Sequence, residues 1–185
     1  GQNAGQTTQG ADAIAIGNRA GVTTQGEDGI AIGNLAGNTS QGAEAIAIGD
    51  GAGFTGQGAE GIAIGNSAGS ENQGAESIAI GEFAGMTNQG ADAIAIGKSA
   101  GLTSQAANSI VINASGTTVD NTQASSLKIT PIRNTTMTTI LGYDATSGEV
   151  MHNAAIPGYI SLADLKTEVA ASADFAAFKA RIAAL

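Results

Sequence analysis

Gln-Gly-Ala-Asp-Ala-Ile-Ala-Ile-Gly-Lys-Ser-Ala-Gly-Leu-Thr-Ser, residues 89–104, is the best-kept copy of a 16-residue unit that recurs from the first residue to about Asn113. One column of the self-alignment holds Gln9, Gln25, Gln41, Gln57, Gln73, Gln89 and Gln105. Two more hold isoleucine without exception: Ile14, Ile30 and Ile46 open the first, Ile16, Ile32 and Ile48 the second, and they run to Ile110 and Ile112. A glycine closes each Ile-Ala-Ile run, and an Ala-Gly pair such as Ala36-Gly37 follows it. The alternation of large and small residues has period two, so the run reads as a short strand with both isoleucines on one face and alanine on the other. A unit this short is below the size of helical repeats and propeller blades. One β-coil with two short strands and two glycine-bearing turns fits it. Coils then stack at about 4.8 Å, and the glutamine column is placed to form a ladder of amide hydrogen bonds along the axis.

Composition agrees. A chain of 185 residues with 28 Gly, no Trp and 3% aromatics lacks the bulky side chains of an ordinary globular core, while 42% apolar and 12% charged residues are the wrong balance for disorder. The absence of cysteine removes disulfides and thiolate chemistry. A net charge of −9 argues against nucleic acid as a partner. No apolar run is long enough to enter a bilayer as a span, and no signal peptide is visible. The chain opens on Gly1 inside a repeat, which reads as a fragment or a processed product.

A single coil is not self-sufficient. Burying two isoleucines is worth about 4–6 kcal/mol, against roughly 16–32 kcal/mol for ordering 16 residues of backbone. Stacking, and a second burial surface, must supply the rest. With isoleucine taken as the filling of the coil, the alanine and glycine face is where another chain would approach closely, which implies oligomerisation about a common axis; the alternative is a monomeric solenoid.

The run Ser77-Ile-Ala-Ile-Gly81 with its Ala-Gly marker resembles the head repeats of YadA-like trimeric adhesins, although the repeat here is longer than the usual one in that family. That resemblance covers roughly residues 1–112 and implies a left-handed parallel β-roll assembled as a homotrimer. Asn108-Ser-Ile-Val-Ile-Asn-Ala-Ser-Gly116 and Leu127-Lys-Ile-Thr-Pro-Ile-Arg-Asn134 resemble the region after such repeats in fibre proteins of bacteriophages and large algal viruses. The stretches from Gly158 and from Asp174 are similar to cyanophage structural proteins. Together these imply a virion or tail fibre, extracellular, with other virion structural proteins as partners and a host-surface glycan or protein as a candidate receptor. The alternative they imply is a bacterial adhesin head displayed on the cell surface.

Three regions follow: a β-roll over 1–113, a β-rich transition over 114–157 and two short amphipathic helices over 158–185. The period fails at Gly116–Asp120, and Leu127–Arg133 and Thr138–Tyr143 alternate as strands. Ser161-Leu-Ala-Asp164 has the form of a capping box. Leu162, Leu165 and Val169 make one apolar stripe; Phe175, Phe178, Ile182 and Leu185 make another, and such helices need packing partners to persist in water. The low count of Lys and Arg argues against a membrane-surface role for them.

No constellation in the sequence points to catalysis or to a cofactor. His152 is the only histidine and has no nucleophile elbow near it. An acidic column, Asp12, Asp28, Glu44, Glu60, Glu76 and Asp92, places like charges about 4.8 Å apart, repelling by roughly 0.9 kcal/mol in water. It reads as a solvated face, with cation binding as the sharper alternative. Two columns drift in identity, and from these Phe54, Phe83 and Met86 are candidates for receptor or subunit contacts. A file of threonines, Thr23, Thr39, Thr55, Thr87 and Thr103, is broken by Glu71, which weakens an ice-binding reading.

Overall fold

The structure, a computed structural model, describes residues 1–132, 140–143 and 150–153. The repeat forms a parallel β-solenoid of about eight coils whose strands stack in two sheets, eight strands in one and five in the other. The Gln sheet stacks Thr7–Gln9, Thr23–Gln25, Thr39–Gln41, Thr55–Gln57 and Glu71–Gln73 in sequence order. The Ile sheet stacks Ile14–Ile16, Ile30–Ile32, Ile46–Ile48, Ile62–Ile64, Ile78–Ile80, Ile94–Ile96, Ile110–Asn113 and Leu127–Thr130. Every pairing is parallel and in register, Ile30 opposite Ile46 and Gln41 opposite Gln57. The coil rise thus converts the sequence period into straight columns of identical side chains.

The alternation holds, but the faces are inverted relative to the expectation that isoleucine fills the coil. Ala31, Ala47, Ala63, Ala79 and Ala95, the central residues of the Ile-Ala-Ile strands, are completely buried, as are Ala36, Ala52, Ala68 and Ala84 of the Ala-Gly pairs. The isoleucines point outward; Ile16 is 57% exposed at one end of the sheet and Ile96 39% exposed further along. The reason is the width of the coil. Gly37 lies so close to Ala31 that a Cβ added to the glycine would press on the alanine methyl. Two walls at that separation admit a methyl from one side and nothing larger from the other. Alanine and glycine are therefore the filling of the coil, and the isoleucine columns form its outer face.

The glutamines complete the interior, as pins rather than as an amide ladder. Gln57 is 3% exposed, and its Nε2 donates to the carbonyl of Ile46 at 2.8 Å and to that of Gly61 at 2.9 Å. Gln25, Gln41, Gln73, Gln89 and Gln105 repeat the same pair of bonds, one to the coil before and one to the turn that follows. Direct amide-to-amide contact occurs between Gln89 and Gln105, at 3.4 Å. The other end of each pin explains the Ala-Gly marker. Oε1 of Gln73 sits where a Cβ on Gly69 would have to be, and Gly69 has φ +51, so the position excludes side chains twice over.

Stacking continues past residue 113, where the fixed period ends. Leu127 pairs with Ile110, an interval of 17 residues, and Ile129 pairs with Ile112. Main-chain bonds from Gly101 to Val119, Ala106 to Asn121 and Ile110 to Ser126 wind this last coil onto the one before. Asn113 anchors its first turn by donating to the carbonyls of Lys98 and Thr117, at 2.8 and 2.6 Å. Asn121 stands in the glutamine column and bonds Ser126. Separately, the unit Arg133–Leu185 contains an antiparallel pair, Ile140–Tyr143 with Val150–Asn153. The helices expected over 158–185, with Leu165, Val169, Phe175, Phe178, Ile182 and Leu185, lie outside the described residues.

Replacing Gln57 by leucine roughly keeps the volume but removes both bonds given by Nε2, to the carbonyls of Ile46 and Gly61, the second of which also accepts from the Ile46 amide at 2.9 Å. It is expected to destabilise the chain by about 1–3 kcal/mol in urea titration. Gln9, which is exposed and bonds only Ala13, is the control: Gln9→Leu should shift the midpoint far less.

Candidate interaction surfaces

Four longitudinal surfaces result from the stacking, each a column or pair of columns read once per coil. The broadest is the outer face of the Ile sheet. Sixteen aliphatic side chains, from Ile14 and Ile16 to Leu127 and Ile129, occupy it in two straight files over eight strands. At about 4.8 Å per strand the face is roughly 34 Å long. A monomeric soluble protein seldom exposes a contiguous apolar area above a few hundred Å². Nothing in the alternating pattern distinguishes this face from a buried one; the narrow Ala-Gly wall opposite is the signal that it faces out.

On the opposite side, the Gln sheet turns Thr7, Thr23, Thr39, Thr55 and Glu71 into one in-register column, with Thr87 bridged to Glu71. The residue after each threonine has a left-handed backbone: Thr24 at φ +53, Ser40 at +58, Gly56 at +68, Asn72 and Asn88 at +54. These strands are therefore bent at every central residue, and their outer surface is a corner as much as a sheet. Asn72 donates to Asn88 across one coil at 3.1 Å.

The acidic column occupies the corner leading from the Gln strand into the Ile strand. Asp12, Asp28, Glu44, Glu60, Glu76 and Asp92 are all exposed, and all have φ between +54 and +58, as does Asn108 at +56. Asn and Asp adopt this conformation more readily than other side-chain-bearing residues, which accounts for part of the column's composition on backbone grounds. Among the described residues, no three His, Cys, Asp or Glu side chains converge as a metal site.

The fourth surface is the edge joining each Ile strand to the following Gln strand. Here the column Asn18, Asn34, Asp50 is a hydrogen-bonded file: Asn18 donates to Asn34 at 3.0 Å, and Asn34 to Asp50 at 2.8 Å. Further along it, Lys98 pairs with Glu82 at 2.8 Å, both about half exposed. This file is visible in the sequence as another 16-residue column, though its mixed Asn, Asp, Glu and Lys identities hide it among the drifting positions. Next to it lie the two drifting columns. Phe54, Phe83 and Met86 are partly exposed on this edge, in different coils. Asn38, in the column of Phe54 and Met86, donates to the carbonyl of Arg19 at 2.8 Å, so that column leans on the other, one coil back. At the last coil, Asp120 accepts bonds from the Thr103 amide at 3.0 Å and its hydroxyl at 2.7 Å.

His152 lies in the strand Val150–Asn153, opposite Leu141. No helix among the described residues is long and apolar enough to cross a membrane. A scan against protein-family models finds no match, and searches of curated proteins and of solved structures find none either.

If the acidic corner is a backbone feature with a solvated side chain, Glu60→Asn should stabilise the chain, by up to about 1 kcal/mol, because asparagine tolerates the left-handed conformation better. A thermal melt checks this, and millimolar Ca²⁺ is expected to leave the melting of the wild-type chain unmoved.

Proposed function

We propose that this chain is a segment of a viral fibre: a rigid, homotrimeric, left-handed β-roll shaft that contributes to attachment at a host surface. The observation that carries the trimer is the outward isoleucine face. Apart from Val111 and the serines Ser77 and Ser109, the fully buried side chains of the coils are alanine and one glutamine per coil, so the internal apolar gain is smaller than the sequence implied. The largest apolar side chains stand outside. Three copies turned with these faces to a common axis would bury all sixteen, and closed threefold symmetry presents the same face to each neighbour. This replaces the expectation that alanine and glycine line the axis. The two short amphipathic helices read from the sequence over 158–185 serve as the trimerisation or attachment element. The rival reading, the head of a bacterial trimeric adhesin, uses the same surface and is favoured by the run Ser77–Gly81. Capsid or tail genes beside this gene support the virus; a secretion signal and outer-membrane anchor in the same reading frame overturn it in favour of the adhesin.

Light scattering should return a mass near three times 18.0 kDa. Ile64→Asp, in the middle of the face, would bring three carboxylates together at the axis, at a cost of several kcal/mol, and should yield monomers. A wild-type chain that is itself monomeric sinks the trimer.

A further inference from the structure

We infer that the drifting columns on the edge beside the isoleucine face key the copies in register, with Leu35, Phe54, Phe83, Met86 and Leu102 as the contacts. The inference rests on the trimeric reading above. The isoleucine face repeats identically in every coil, so sliding one copy by one coil uncovers only the last pair of side chains. Residues that differ from coil to coil are displaced all at once by the same slip.

Two observations single out this edge. Leu35 and Phe83 have left-handed backbones, both at φ +59, where a bulky side chain is disfavoured. The same column reads Gly51, Ser67 and Ser99 in other coils, at φ +65, +51 and +54, so the corner itself does not call for an apolar residue. A strained position that carries a large, partly exposed apolar group points to a contact that compensates it. The second observation is the offset shown by the bond from Asn38 to the carbonyl of Arg19. The same 19-residue offset carries Phe54 to Leu35 and Leu102 to Phe83, so four of the five fall in pairs at two separate heights, while Met86 is carried to Ser67. The edge begins three residues beyond the second isoleucine of each strand, which makes it continuous with the proposed interface. A surface ordered at the coil spacing is matched by a partner with that same spacing, and a second copy of this chain has it.

The test compares the wild-type chain with the double variant Leu35→Gly, Phe83→Ser, whose new residues already occur in that column and relieve backbone strain. Mass by light scattering and a ¹H–¹⁵N correlation spectrum are recorded for both. Copies in register are equivalent and give one amide resonance per residue, whereas slipped copies are not and give several. The wild type is expected to show one set at three times 18.0 kDa, and the double variant to remain trimeric with multiplied resonances or to dissociate at lower urea. Phe83→Leu, which keeps an apolar group at that height, should retain one set. A double variant with one set and an undiminished dissociation midpoint overturns the inference and leaves the trimer standing. A wild-type mass of 18.0 kDa overturns both.

Discussion

The separation of the two walls of the coil governs everything else in this molecule. Where Ala31 meets Gly37, the interior has room for a methyl group and no more. From that follow the alanine columns on both sides, the glycine that cannot be substituted beside each glutamine, and the expulsion of isoleucine to the outer face. An interior of methyl groups gains little from dispersion and burial compared with one of leucine and phenylalanine. The coil compensates through hydrogen bonding: its main chain is bonded to the coils on either side, and each buried glutamine amide adds a second bond to a turn carbonyl that the main chain already pairs, and another to the strand of the coil before.

Because each coil repeats the last, every property becomes a line along the axis. The isoleucine files, the threonine column, the acidic corner and the Asn-Asn-Asp file are four such lines on one small cross-section. Departures from repetition are correspondingly informative. The last coil is a residue longer, and it replaces glycine with Asn113 and glutamine with Asn121. Both asparagines hold their own turn with side-chain bonds, a task that identical stacked neighbours perform for the earlier coils.

Much of this architecture was legible in the sequence because a fixed period and a two-residue alternation are direct images of coil rise and strand pleat. Strand positions, parallel register and the stacking of like on like followed from the columns of Gln25 and Ile30. Which face was inside did not follow, since alternation defines two faces without ranking them. Size alone ranks isoleucine as the core residue, and the cross-section of the coil decides otherwise. The glutamine column was recognised, but a column reveals only that its members stack; that the amide of Gln57 would choose main-chain carbonyls depends on where the turn at Gly61 passes. The coil ending in Leu127–Thr130 escaped the period because its interval is one residue too long. Phe54, Phe83 and Met86 stand out in the sequence by their drift and lie on one edge, with a left-handed backbone at Phe83 that no sequence pattern announces.

The glutamine pins also set a direction in time. The amide of Gln25 bonds the carbonyl of Ile14, eleven residues earlier in the chain, and that of Gly29, four residues later. Both partners exist once Gly29 has been added to the growing polypeptide. Each coil can therefore be fastened to its predecessor as synthesis proceeds, with the finished coil acting as the template for the next. A solenoid of this kind can be wound from its N-terminal end like thread onto a spool, without waiting for its last residue to be made.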